Sequence, residues 1–156
     1  MMYEVQQLRI NYKTLEEFKQ FKQYGLQELS MLEELNAQIS ENEIHSPFYG
    51  IYIGNRLVAR MSLYQQSKKH DHYFKPHQPY LEVWKLEVLQ EFQSKGLGTS
   101  LIEYAKSFKL PIKTNPRVHS SHFWTKMGFT PASYDLERDL GENPMLWSPE
   151  DVSTSN

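Results

Sequence analysis

The stretch Gln93-Ser94-Lys95-Gly96-Leu97-Gly98 joins an apolar, strand-like run, Leu81 to Leu89, to an amphipathic, helix-like run, Thr99 to Phe108. A glycine-bearing turn in that setting suits a phosphate. Glycine at 96 and 98 lets the backbone approach a ligand with no Cβ in the way. The N–H groups at a helix start are unpaired and carry the positive end of its dipole. Each favourable charge at an exposed helix end contributes roughly 0.3 to 1 kcal/mol, so several converging amides hold a pyrophosphate without a metal. The same Gly-x-Gly also serves any tight strand-to-helix turn, and alone it does not separate the two readings.

A second segment, Phe123-Trp124-Thr125-Lys126-Met127-Gly128-Phe129, separates them. With both pieces in this order, the chain resembles the GNAT superfamily of acyl-CoA-dependent N-acyltransferases. There, a (Gln/Arg)-x-x-Gly-x-(Gly/Ala) loop follows the fourth strand, and an aromatic-aromatic-x-Lys-x-Gly-Phe segment ends the next helix. The resemblance covers Tyr80 to Phe129 well and the flanks in outline, and small bacterial N-acetyltransferases of the YlbP type are the expected relatives.

The resemblance implies an α+β fold: three layers, α/β/α, around a mixed, mostly antiparallel sheet splayed between its fourth and fifth strands. It also implies roles. Glu82 stands where many members carry a general base. Backbone groups of Leu86 and Val88 would bond the pantetheine arm, which lies along the fourth strand like an added one, and an amide there would polarise the thioester carbonyl. Amides of Ser94, Gly96 and Gly98 would hold the pyrophosphate, with Lys95 and the Thr99 hydroxyl assisting and Gln93 in the motif's first place. Acetyl-CoA enters as co-substrate, and no metal is expected.

Two positions depart from the family pattern. Trp124 stands where many members place a tyrosine that protonates the departing thiolate, and an indole N–H is far too weak an acid. A thiol of pKa near 8.5 leaves as thiolate without much help, so the chemistry survives. Where relatives often carry an asparagine at the start of the last helix this chain has Arg117, with Asn115, Ser120 and Ser121 nearby. Any of these could take over that contact with the pantetheine arm.

Acetyl transfer to an amine has one dominant obstacle at neutral pH, the proton on the amine. For a lysine-like amine of pKa near 10.4, about one molecule in 2,500 is neutral at pH 7, a deficit of roughly 4.6 kcal/mol. A carboxylate beside an apolar cleft removes that proton directly or through a water. On an unbulged strand Glu82, Trp84, Leu86 and Val88 share one face, with Lys85 and Glu87 on the other. An acyl-CoA against the first face would put Glu82 on the catalytic side; the alternative is a rim carboxylate paired with a basic side chain.

Composition narrows the classes further. The chain has 156 residues, which suits one domain, here residues 1–148 with a frayed tail over 149–156. Net charge is −2 and the basic residues are scattered, which argues against a nucleic-acid footprint or a membrane-surface patch. Cysteine is absent, so disulfides, thiolate metal sites and Cys-linked acyl intermediates are excluded. The start of the chain is polar, and no stretch approaches the ~20 apolar residues of a membrane span; the expectation is a cytoplasmic protein.

Along the chain, Glu4 to Ile10 alternates as a first strand. Thr14, with Glu17 three positions on, reads as the N-cap of a helix ended by Gly25. A second helix is predicted through Leu26, Leu29, Leu35 and Ile39. Phe48–Ile53 and Leu57–Tyr64, joined by Gly54-Asn55, read as an antiparallel hairpin. Gln65 to Pro79 is a polar, basic, long loop, read as a lid over the acceptor site. His70, His72, His77 and Asp71 in it carry metal-binding residue types, but without a helix or hairpin to fix their spacing a solvated loop is the reading. Then follow a short strand at Pro111–Lys113, a helix at Val118–Met127 closed by Gly128, and strands at Thr130–Glu137 and near Met145–Trp147. An exposed strand there and the 13% aromatic share point to a homodimer.

The function these observations favour is N-acetyl transfer from acetyl-CoA to a small-molecule or peptide amine, directly within a ternary complex. A non-catalytic CoA-binding or sensing module is the alternative, and Trp124 is what favours it.

Overall fold

The computed structural model describes residues 2–24, 35, 46–116, 120–133, 143–150 and 153–154. The chain divides into two compact units, Met1–Ser62 with Lys85–Leu101, and Leu63–Trp84 with Ile102–Asn156. Its strands are β1 (Gln6–Gln7), β2 (Phe48–Ile53), β3 (Arg56–Gln66), β4 (Phe74–Lys75), β5 (Tyr80–Val88), β6 (Ile112–Thr114), β7 (Thr130–Pro131), β8 (Met145–Trp147) and β9 (Ser153–Thr154). The helices among the described residues are α1 (Tyr12–Phe18), α2 (Leu97–Lys106) and α3 (Ser121–Lys126).

Seven strands form one sheet in the order β1-β2-β3-β5-β6-β8-β7, and β4 pairs with β9 apart from it. Counted across that sheet, β5 and β6 are the fourth and fifth strands. They pair in parallel over Leu81↔Ile112, Glu82↔Lys113 and Val83↔Thr114, and β5 runs on to Val88 beyond that register. Pairs β1/β2, β2/β3, β6/β8 and β7/β8 are antiparallel, so the sheet is mixed as expected.

In the first unit the predicted hairpin forms, with Gly54 at φ +62 in a turn that an L side chain would strain. The helix start differs from the reading of Thr14 as a cap. Asn11 is the N-cap, its side chain accepting from the Thr14 N–H at 3.0 Å, while the Thr14 hydroxyl turns back to the Arg9 carbonyl at 2.6 Å. A 3-10 segment, Lys19–Tyr24, continues α1. Gly25 and the predicted second helix, Leu35 apart, lie outside the described residues. The first strand shrinks to two residues, with Leu8 adding one bond to Phe48.

The core of this unit is built on a buried ion pair. Arg60, fully buried, donates from Nε and Nη2 to one oxygen of Glu87 at 3.0 and 2.8 Å and from Nη1 to the Phe18 carbonyl at 3.2 Å. Its guanidinium also lies 4.8 and 4.2 Å from the Phe18 and Phe21 ring centres. Phe18 in turn packs edge-on against Phe48 at 5.5 Å.

In the second unit, the segment expected as a lid is an ordered, internally bonded turn. Buried Asp71 accepts from the N–H groups of Tyr73 and Phe74 through Oδ1, at 2.8 and 3.0 Å, and from Gln78 through Oδ2 at 3.0 Å. Tyr73 and Phe74 are buried with Tyr80 and Leu146 in one aromatic cluster. Partway along, β4 pairs with β9, so Ser153–Thr154 form a strand where the tail was expected to fray. Strand β8 is paired by β6 over Met145–Trp147 and by β7 at Met145 and Leu146, so it is not the exposed strand expected there. No helix among the described residues is long and apolar enough to cross a membrane.

Leaving a buried charge without its partner is costly. Arg60→Met should therefore lower the unfolding free energy measured in urea by about 3–5 kcal/mol, while the Arg60→Met/Glu87→Leu double variant should recover most of it.

Candidate functional site

The motif loop lies in the first unit, between β5 and α2. Ser94 at φ +64 and Gly96 at φ +89 take left-handed conformations, and residues 93–96 are exposed. The Gly96 carbonyl accepts from the Ser100 N–H at 3.0 Å, which makes Gly96 the last residue before α2. The N–H groups of Leu97, Gly98 and Thr99 are therefore the unpaired first turn of a ten-residue helix, and they meet no acceptor among the described residues. Leu97, with its side chain buried, joins the amides expected to face a phosphate. Sequence reasoning missed it because it started the helix at Thr99. Gln93 braces the loop, its Nε2 donating to the Val88 carbonyl at 3.0 Å. That carbonyl keeps a second lone pair for another donor. Leu86 and Val88 themselves are half-buried.

Strand β5 is not the unbulged strand on which Glu82, Trp84, Leu86 and Val88 would share a face. Leu81 donates its N–H to the Pro111 carbonyl and the Val83 carbonyl accepts from the Thr114 hydroxyl, both on the β6 side. Leu89 instead sends its N–H to Val58 of β3, in one register with the Arg60–Glu87 contact. On a regular strand Leu81, Val83 and Leu89 would point to the same edge, so β5 shifts phase once after Val83, as a β-bulge does.

Glu82 belongs to the second unit, where the parallel register sets it beside Lys113. Lys113 Nζ lies 3.7 Å from Glu82 Oε2, and Gln66 Nε2 donates to Oε1 at 3.4 Å. The Lys113 side chain is nearly buried, its ammonium 5.0 Å from the centre of the Tyr73 ring. Beside this group Tyr64 and Trp84 pack with ring centres 4.3 Å apart, and Trp84 remains 47% exposed. Burial, followed by the charges of Glu82, Tyr73 and Asp71, raises the Tyr80 phenol above the ordinary tyrosine pKa.

Trp124 is buried, edge-on to Phe123 at 5.2 Å and to Phe129 at 5.0 Å, so it serves packing rather than proton transfer. Gly128 at φ +89 follows α3, and Lys106 reaches across to the Met127 carbonyl at 2.5 Å. Asn115, just after β6, has a buried Oδ1 with no hydrogen-bond partner among the described residues. Arg117 lies outside them. Among the described residues no three His, Asp or Glu side chains converge as a metal ion would require. An open cavity of about 590 Å³ in the first unit, lined by Gln6, Arg9, Lys13, Tyr52 and others, includes none of the motif residues.

A strand that outruns its parallel neighbour, followed by a loop of unpaired amides opening a helix, matches the frame expected of an acyl-CoA-dependent N-acyltransferase. The chain belongs to the acetyltransferase (GNAT) family, whose profile matches residues 11–129. Bacillus subtilis YlbP, an uncharacterised N-acetyltransferase, is 61% identical over 96% of this chain and 93% of its own length. An uncharacterised N-acetyltransferase of Oceanobacillus iheyensis is 62% identical over 95% of this chain and 92% of its own. The crystal structure of Bacillus subtilis YlbP in complex with coenzyme A superposes with a TM-score of 0.81 at 58% identity, covering 99% of this chain and all of that one. PaiA N-acetyltransferase of Thermoplasma acidophilum, in complex with coenzyme A, shares the fold at 17% identity, with a TM-score of 0.64 over 96% of this chain and all of its own.

Because the Tyr80 pKa is raised, folding favours the neutral phenol. That stability is present below the unfolded value of 10.0 and is lost as pH rises past it. Between about pH 9 and 11 the thermal midpoint of Tyr80→Phe should fall less than that of the parent, as followed by circular dichroism.

Proposed function

We propose that the chain is an N-acetyltransferase that moves an acetyl group from acetyl-CoA to an amine within a ternary complex. The observation that carries this is the free first turn of α2 after the Gln93–Gly96 loop, in a chain 58% identical to a protein crystallised with coenzyme A. The amides from Ser94 to Thr99 bind the diphosphate, and Lys95 and the Thr99 hydroxyl add a charge and a donor. Backbone groups of Leu86 and Val88 bond the pantetheine arm, which lies along them like an added strand.

Glu82 is the general base. Gln66 and Lys113 fix its two oxygens from opposite sides, yet both contacts are longer than the ~2.7–2.9 Å of a strong charge-assisted bond. An incoming ammonium can therefore form the shortest bond to the carboxylate and give up its proton there. The neutral nitrogen then attacks the thioester carbon, the C–S bond breaks as the thiolate leaves without a side-chain acid, and the remaining extra proton on nitrogen passes to the departing sulfur or to water, consistent with Trp124 in the core. The family match runs through both compact units, which supports residues 1–148 acting as one catalytic domain. We infer a cytoplasmic location in a bacterium, as the bacterial relatives suggest.

Glu82→Gln should lower kcat/KM for acetylation by about 100-fold or more near neutral pH, within the span of general base catalysis, with the loss narrowing as pH approaches the amine's own pKa. No loss at neutral pH would remove Glu82 as base. Gly96→Ala forces an alanine to φ +89, although a Cβ there meets nothing within 4 Å. The cost is therefore in the backbone, about 1–2 kcal/mol, and the Kd for coenzyme A by calorimetry should rise about tenfold.

A further inference from the structure

We propose that Tyr64 and Trp84 are specificity-determining residues for the acceptor, and that the acceptor is a primary amine joined by a short tether to a flat aromatic ring. The inference rests on Glu82 as the base. All the groups it uses belong to the second unit.

Trp84 is 47% exposed although it stands inside a strand rather than on a loop. An indole there leaves apolar surface in water that a ligand would cover. Tyr64, its neighbour on β3, supports it at 4.3 Å with the planes tilted by 42°, so the two rings form a wall rather than a mobile side chain. The contacts Gln66–Glu82 and Tyr64–Trp84 keep one register between β3 and β5, so the phase shift falls beyond Trp84 and Glu82 and Trp84 share a face. Gln66 and Tyr64 stand in the same relation on β3. The result is a small patch with a carboxylate at one end and an aromatic wall at the other.

The spacing selects the ligand. Two residues of strand span about 6.6–6.8 Å. An ammonium bonded to Glu82 therefore reaches a ring over Trp84 through a tether of about two carbons. The charge pattern adds a second filter. Lys113, 3.7 Å from Glu82, repels a second cationic group, so a polyamine is disfavoured where a monocation is accepted. Aromatic faces attract the cation and the ring alike, which a flexible alkyl chain of similar area exploits less well.

The test compares acetylation of 2-phenylethylamine, hexylamine and spermidine by the parent, Trp84→Ala and Trp84→Phe. The parent should favour 2-phenylethylamine over both others by about tenfold or more in kcat/KM. Trp84→Ala should bring 2-phenylethylamine down to the hexylamine level through KM, with kcat nearly unchanged, and Trp84→Phe should keep most of the preference. Equal use of the three amines by the parent, or an equal loss for both monoamines in Trp84→Ala, overturns the proposal. So does a loss of coenzyme A affinity in place of amine affinity, which would assign the indole to the carrier. If no amine is acetylated, the catalytic reading fails on its own account. The wall is then judged by calorimetry of 2-phenylethylamine on coenzyme A-saturated protein: binding lost in Trp84→Ala upholds it, and absence of binding to the parent refutes it.

Discussion

A guanidinium removed from water constrains everything packed around it. Arg60 has no solvent exposure, and its donors go to Glu87 and to the Phe18 carbonyl while two phenyl rings cover its faces. The pair is tolerable in the interior only because geometry and hydrogen bonds offset desolvation. It ties β3, the end of β5 and α1 to one another. Glu87 lies between Leu86 and Val88, so the strand positions assigned to the pantetheine arm are set by an interaction on the far side of the backbone. Side-chain identity at 86 and 88 then matters less than where Glu87 is held.

What could be read from the sequence was what repeats or punctuates. The hairpin was legible because β-forming runs flank Gly54-Asn55, and the phosphate loop because its glycines fall between a strand pattern and a helix pattern. The closing Gly128 marked the end of α3 for the same reason. The ion pair was not legible, although Arg60 inside an otherwise apolar run was a signal in plain view. Periodicity counts a lone charge as noise, whereas burial makes it the least replaceable residue of the run.

Elsewhere the misses share a cause, since each depends on contacts between residues that sequence spacing does not connect. Thr14 and Asn11 both have side chains able to cap a helix, and only the return of the Thr14 hydroxyl to Arg9 decides between them. Glu82 was identified by its place on the strand, but Lys113 comes beside it through a parallel register that no local motif encodes. The phase shift of β5 is equally silent, because strand residues on either side of it keep a β-like pattern.

The turn around Asp71 separates what holds a segment together from what it shows to water. One buried carboxylate gathers three backbone N–H groups, and such groups are present whatever side chain follows. Lys68, Lys69, His70, His72 and Lys75 face outward from this frame. Their identities can drift without dismantling it, so the charge this segment displays is open to evolutionary retuning, while Asp71 and the buried aromatic rings beneath it are not.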